Sequence, residues 1–174
     1  MREVLLIYFS QYGSKQSMSA SYPNVYYLAM QTYDILARGY ETLKHPALFV
    51  TLAVLALFVC AIWRFKETIS KANMVYIGIW CIWTCLMFLP GMHERFSFPI
   101  EVLLTMFVLT RDVKKIWVVV GINMIAAITY SKYLFQANNI MYYILAPFNV
   151  IIYFYVTYDL YRSLQAEARK SPTF

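Results

Sequence analysis

Charge is scarce in this sequence: charged residues make up 14% of its 174 positions, against 61% hydrophobic ones. A soluble domain of ordinary composition carries about 25% charged residues, so this chain has too little water-facing surface to be one. Five glycines exclude a collagen-like chain, and three cysteines are too few for a disulfide scaffold. An aromatic content of 18% excludes disorder. No Gly-rich phosphate loop, zinc signature or Ser-His-Asp pattern occurs, so neither a cofactor nor a metal is expected. The net charge of +6 would point to a nucleic acid only if the basic residues formed one face, and they do not. They lie between apolar segments, where they serve topology and attract anionic lipid headgroups, which makes membrane lipid the first partner. The class that remains is all-α, a polytopic membrane helical bundle.

A hydrocarbon core of about 30 Å needs about 20 helical residues to cross. Five segments approach that length: 46–63 (PALFVTLAVLALFVCAIW, the clearest), 74–89, 96–110, 116–130 and 140–161. The second and third are short for spans, and only PGMHER separates them, which reads as a tight helical hairpin. Residues 46–164 are thus expected to form a bundle of about five transmembrane helices, with 165–174 as a cytoplasmic tail.

Orientation follows from the basic residues in each connection, because Lys and Arg are retained in the cytoplasm. The gap after the first span holds Arg64, Lys66 and Lys71, the gap after the third Arg111, Lys114 and Lys115, and the tail Arg162, Arg169 and Lys170. The other two gaps hold only Arg95 and Lys132. This alternation places PGMHER outside and the C-terminus in the cytoplasm.

Residues 1–45 then lie outside, yet 1–9 (MREVLLIYF) is too short to span and lacks the cleavage pattern of a signal peptide. Further transmembrane helices are therefore expected upstream, in a longer chain or in a partner subunit. Within this tail Val25, Leu28, Ala29, Thr32 and Leu36 recur at helical spacing, with Asn24 as N-cap and Gly39 as a stop. Tyrosines 22, 26, 27 and 33 around it predict a short amphipathic helix lying flat in the outer interface. The stretch VLLIYFSQYGSKQS resembles the first strand and phosphate loop of a flavodoxin, but no alternation of strands and helices follows it.

Polar residues at a membrane are costly, and the densest group is Met92, His93, Glu94 and Arg95. So short a hairpin keeps these side chains near headgroup depth, where the phosphate of a lipid-linked substrate would lie. Arg95 can grip a phosphate in two-pronged fashion, His93 can exchange a proton at neutral pH, and Glu94 can orient either. An ordinary capped hairpin with solvated charges is the alternative reading of the same residues.

Here the sequence resembles a known family. GMHERFSFP is similar to the MHER(Y/F)xFP signature in the C-terminal half of bacterial GT-C glycosyltransferases, integral membrane enzymes that use polyprenyl-phosphate sugars. The stretch IYFSQYGSKQSMSASYPNVYYL resembles the preceding loop of that family, an aromatic-Gln-Tyr segment followed by Ser-x-Asn-Ala-Pro-Asn-aromatic; here Ser21-Tyr22-Pro23-Asn24 keeps the Pro-Asn without the Asn-Ala. The resemblance covers 7–164 and implies the C-terminal part of such an enzyme, in a bacterial plasma membrane. It implies transfer of a sugar from a polyprenyl-phosphate donor to an outer acceptor, with His93, Glu94, Arg95 and Asn24 at the donor. Cationic stabilisation of the phosphate leaving group would then assist a loose sugar-transfer transition state. The family's carboxylate base belongs to an earlier loop that has no counterpart here. Asp34 is the one outer aspartate and thus the one catalytic candidate, although a surface-helix carboxylate is more often simply solvated.

Glu101, inside the third span, either pairs with Arg95 or a neighbouring helix, or lines a substrate groove. Cys81 and Cys85 share a helix face without a histidine at ligand spacing and read as packing, as does Cys60. His45 reads as interfacial, Asn123 and Asn149 as interhelical glue, and Pro147 as a kink. Two further functions fit the same residues. One is a non-catalytic membrane subunit or scaffold that binds lipid or a partner protein. The other is a small transporter, motivated by Glu101, Asn123 and Asn149.

Overall fold

The computed structural model describes residues 17–29, 33–135 and 140–170. It is an all-α bundle with one two-residue strand pair. The elements are β1 (Ser19–Ala20), α1 (Tyr26–Ala29), α2 (Tyr33–Trp63), α3 (Lys71–Phe88), β2 (Met92–His93), α4 (Phe98–Arg111), α5 (Ile116–Phe135) and α6 (Ile140–Lys170). Tight 3-10 turns at Lys66–Thr68, Glu94–Ser97 and Val113–Lys115 join the helices.

Four helical stretches, Arg38–Trp63, Lys71–Phe88, Val113–Ser131 and Tyr142–Lys170, are long and apolar enough to cross a membrane, so the chain is a multi-pass membrane protein. The anticipated fifth span, 96–110, falls short of that test. Its first residues form the Glu94–Ser97 turn, and Pro99, in the first helical turn where its missing N–H costs nothing, starts a helix of only 14 residues. At 1.5 Å per residue α4 reaches about 21 Å, less than the hydrocarbon thickness.

Helices α3, α4, α5 and α6 close a ring, α3 against α4 and α6, and α5 against α4 and α6, while α2 packs on the outside of α3. The core of the ring is made by Trp80, Trp83, Ile79, Ile100, Leu104, Val118, Val156 and Leu160, all buried. Gly121 lets α5 approach α6: a Cβ there would lie 2.9 Å from Ile152 Cδ1. The most lipophilic helix, α2, is the least covered, with Phe49, Leu52 and Leu57 exposed as lipid contact requires.

What pairs α3 with α6 is a hydrogen bond at every turn. From one end to the other, Ser70 Oγ donates to Glu167 (2.6 Å), Ser163 Oγ to Asn73 Oδ1 (2.9 Å), and Tyr76 OH to Asp159 (3.0 Å). Trp80 Nε1 then donates to Thr157 (2.7 Å), Thr84 shares a proton with Tyr153 (2.8 Å), and Asn149 Nδ2 donates to Met87 Sδ (3.6 Å). Lipid tails are as apolar as leucine, so helices in a bilayer gain little from burial alone, and polar contacts specify partner and register.

The anticipated N-terminal arrangement is corrected at two points. Gly39 does not end a helix: α2 runs without a break from Tyr33 through Gly39 and Pro46 to Trp63. A mid-helix glycine costs about 1 kcal/mol, which is small beside the cost of an unsatisfied backbone at a membrane boundary. Nor do the described tyrosines of the stretch all lie on the surface, since Tyr22 and Tyr27 are buried. Ser17, Met18, Ser19, Tyr22, Pro23 and Asn24 are buried in the bundle end, and α1, a single turn, packs on α6. At the other end of the chain α6 continues to Lys170, with Leu164 buried and Glu167 capping α3. It passes through Pro147 without a break. The flavodoxin-like stretch up to Gln16 lies outside the described residues.

Candidate functional site

The two segments that carry the family resemblance are about seventy residues apart in sequence and meet at one end of the bundle. Leu89 N bonds Cys85 O to close α3, and Gly91 then turns the chain at φ +72°, a left-handed conformation that glycine adopts without penalty. From there Gly91 N donates to Met18 O (3.2 Å), and β2 pairs in parallel with β1, Ser19 opposite Met92 and Ala20 opposite His93. A bridge between Ser21 and His93 extends the pairing.

Side chains lock the same junction. Asn149 Nδ2, on α6, donates to Pro23 O (2.8 Å). The Tyr26 hydroxyl donates to Phe88 O (2.5 Å), one of the carbonyls that the end of α3 leaves without a helical partner. The hydroxyls of Tyr22 and Tyr26 are both pushed up to about 12 by burial. They are neutral donors at any physiological pH.

The anticipated site residues fall into different settings. Asn24 has 0% exposure, and its Oδ1 accepts from Tyr26 N (3.2 Å), so it does cap the helix that was expected to follow it. His93 and Glu94 are largely covered, with side-chain exposures of 17% and 13%, and His93 Nδ1 stands 3.8 Å from Glu94 Oε2. Arg95 is exposed, its guanidinium 5.5 Å from the centre of the Phe96 ring, and no carboxylate pairs with it among the described residues. Glu101 is buried and accepts from Ser97 Oγ (2.5 Å), not from Arg95. Asp34 falls within α2, but its side chain lies outside the described residues.

Ser97 and Tyr130, which sequence reasoning passed over, organise the turn. Ser97 Oγ touches both Glu94 O (2.6 Å) and Glu101, and Tyr130 OH, on α5, donates to Glu94 O (3.3 Å). A hydroxyl four residues before a buried carboxylate was the available signal for the first; nothing local announced the second. Asn123 bonds its own helix at Val119 O (2.9 Å) and reaches Thr105 at 3.4 Å, so it joins α5 to α4 only weakly. Cys81 and Cys85 are half-buried free thiols, and among the described residues no group of three His, Cys, Asp or Glu stands at metal-holding distance.

Among the described residues the geometry thus offers an unpaired guanidinium at the bundle rim, beside exposed Phe96 and Phe98, on a turn bonded to β1, Ser97 and Tyr130. Such an arrangement can hold an anion whose remainder is apolar. Compared with protein-family models, curated proteins and solved structures, the chain matches none.

Proposed function

We propose that this chain is the C-terminal membrane portion of a GT-C-like glycosyltransferase, and that the turn His93–Arg95 holds the phosphate of a polyprenyl-phosphate sugar donor at the outer face. The observation that carries this reading is the union of the two resemblance motifs: the Pro-Asn segment and the MHER turn form one hydrogen-bonded unit that leaves Arg95 free. Arg95 would grip the phosphate, while His93, oriented by Glu94, would stabilise or protonate it. An exposed apolar strip, Phe98, Val102, Met106 and Leu109, runs down α4 from the arginine and suits a prenyl chain. The short α4 would draw the turn toward headgroup depth. In this reading the membrane is a bacterial plasma membrane and the end of the bundle with Arg64, Arg111 and Arg169 faces the cytoplasm.

The non-catalytic alternative is favoured by one observation. Glu41, Glu94 and Glu101 are each engaged, by Lys44, His93 and Ser97, so none is an evident base for an acceptor hydroxyl. Missing upstream helices or a partner subunit would have to supply that base.

The test is Arg95→Ala in the complete protein, reconstituted in nanodiscs. Affinity for a polyprenyl phosphate should fall by about 10-fold or more, the value of one charge-assisted two-pronged contact, and sugar transfer should fall with it. Wild-type affinity and transfer rate would remove the turn from the donor site.

A further inference from the structure

At the end of the bundle opposite the turn, Arg64, Phe65, Gln165, Ala168 and Arg169 line an open notch of about 320 Å³ between the end of α2 and the last turns of α6. Arg64 is placed there by aromatic groups and, among the described residues, by no carboxylate. Its guanidinium lies 4.8 Å from the Phe65 ring and 5.6 Å from the Tyr161 ring, and Nη2 donates to the Tyr161 hydroxyl. A cation held this way is oriented without being neutralised.

Arg169, on the opposite wall, has no ion pair among the described residues. The acidic groups of this end are engaged elsewhere: Glu167 with Ser70, Asp159 with Lys115 and Tyr76, Asp112 with Lys115, Glu67 with Lys66. Two guanidinium groups therefore face one small space, with the Gln165 amide as a neutral donor and Phe65 and Ala168 as apolar walls. A charge of that sign and a fork of that shape select a phosphoryl anion. The notch also opens where Trp63, 63% exposed, ends the most lipophilic helix, which is the depth of a phospholipid headgroup.

We infer that this notch is a second anion site, distinct from the turn at Arg95, which takes the phosphate of an anionic phospholipid headgroup or a free phosphate. Arg64 and Arg169 grip the anion, and the acyl chains of a lipid would lie along α2. Nothing in it depends on the glycosyltransferase reading.

The experiment uses the full chain in detergent and in nanodiscs, with native mass spectrometry to count retained lipid. Phosphatidylglycerol should be retained in preference to phosphatidylcholine, and Arg64→Gln with Arg169→Gln should lower that preference by about 10-fold. A control that removes the same charge outside the notch, Lys66→Gln with Arg162→Gln, should lower it by less than about twofold. Equal losses in both pairs, or no preference in the wild type together with no displacement by phosphate, would overturn the inference. Displacement of the lipid by millimolar inorganic phosphate would identify the free anion as the ligand, and indifference to it the lipid. Arg64→Lys keeps the charge and loses the fork. It should fall between wild type and the double variant, and serves if the double variant fails to fold.

Discussion

Asn149→Leu isolates the contact that ties the N-terminal segment to the bundle. Asn149 Nδ2 donates to Pro23 O across a separation of 126 residues, with the asparagine 2% exposed. Leucine keeps the same number of heavy atoms and the same branching and is the larger of the two, so no cavity is opened; what changes is that a buried carbonyl loses its donor. That loss is worth about 1–3 kcal/mol, and the weaker contact to Met87 Sδ goes with it. The cost falls on docking of residues 17–25 more than on the helices, whose backbone bonds are intact. The ratio of docked to undocked segment should therefore drop about 5- to 150-fold. Hydrogen exchange followed by mass spectrometry, on the full chain in nanodiscs, reads this as faster exchange at Met18, Tyr22 and Gly91. Asn123→Ala is the control, because Asn123 bonds its own helix and reaches Thr105 only at 3.4 Å; its effect should stay below about 0.5 kcal/mol. Unchanged exchange in Asn149→Leu, or equal effects of both substitutions, would refute the claim that Asn149 fastens the N-terminal segment to α6.

Gly91→Ala should destabilise the turn by about 1–2 kcal/mol through backbone strain alone, since the nearest atom to the new Cβ is Ser17 O at 3.9 Å. Gly91→Asn should cost less, and a thermal-shift series in which asparagine and alanine rank the other way would contradict that account. Asp159 joins three helices, accepting from Lys115 Nζ (2.6 Å) and from Tyr76 OH (3.0 Å) at about one-fifth exposure. Asp159→Ala should lower stability in a mixed-micelle unfolding titration by about 1–2 kcal/mol after solvent screening, with Asp159→Asn in between. No change in the midpoint would show that the Lys115 side chain finds an equal partner in Asp112.

Composition alone was enough to establish a multi-pass helical protein, because apolar length against bilayer thickness is a one-dimensional comparison. The apolar blocks at 46–63, 74–89, 116–130 and 140–161 all became helices for that reason. The basic residues that follow the first and third expected spans meet the same last helix, Arg64 at Tyr161 and Lys115 at Asp159. Asn24 as a cap and Met92–Arg95 as a polar turn were likewise legible, since each depends on neighbours within a few positions.

What the tertiary structure decided is everything that pairs residues far apart in the chain. The ladder between α3 and α6 was written as polar residues three and four apart, Ser70, Asn73, Tyr76, Trp80 and Thr84, none of which the sequence reading singled out. Only the facing helix shows what they bond. Periodicity at Val25 to Leu36 suggested a surface helix; its described first turn, Tyr26–Ala29, instead packs on α6, and the residues before it, Met18, Tyr22 and Asn24, are buried at the end of the bundle. Local spacing records which residues share a face; the partner for that face is set by packing, and packing has no signature within a single stretch of sequence.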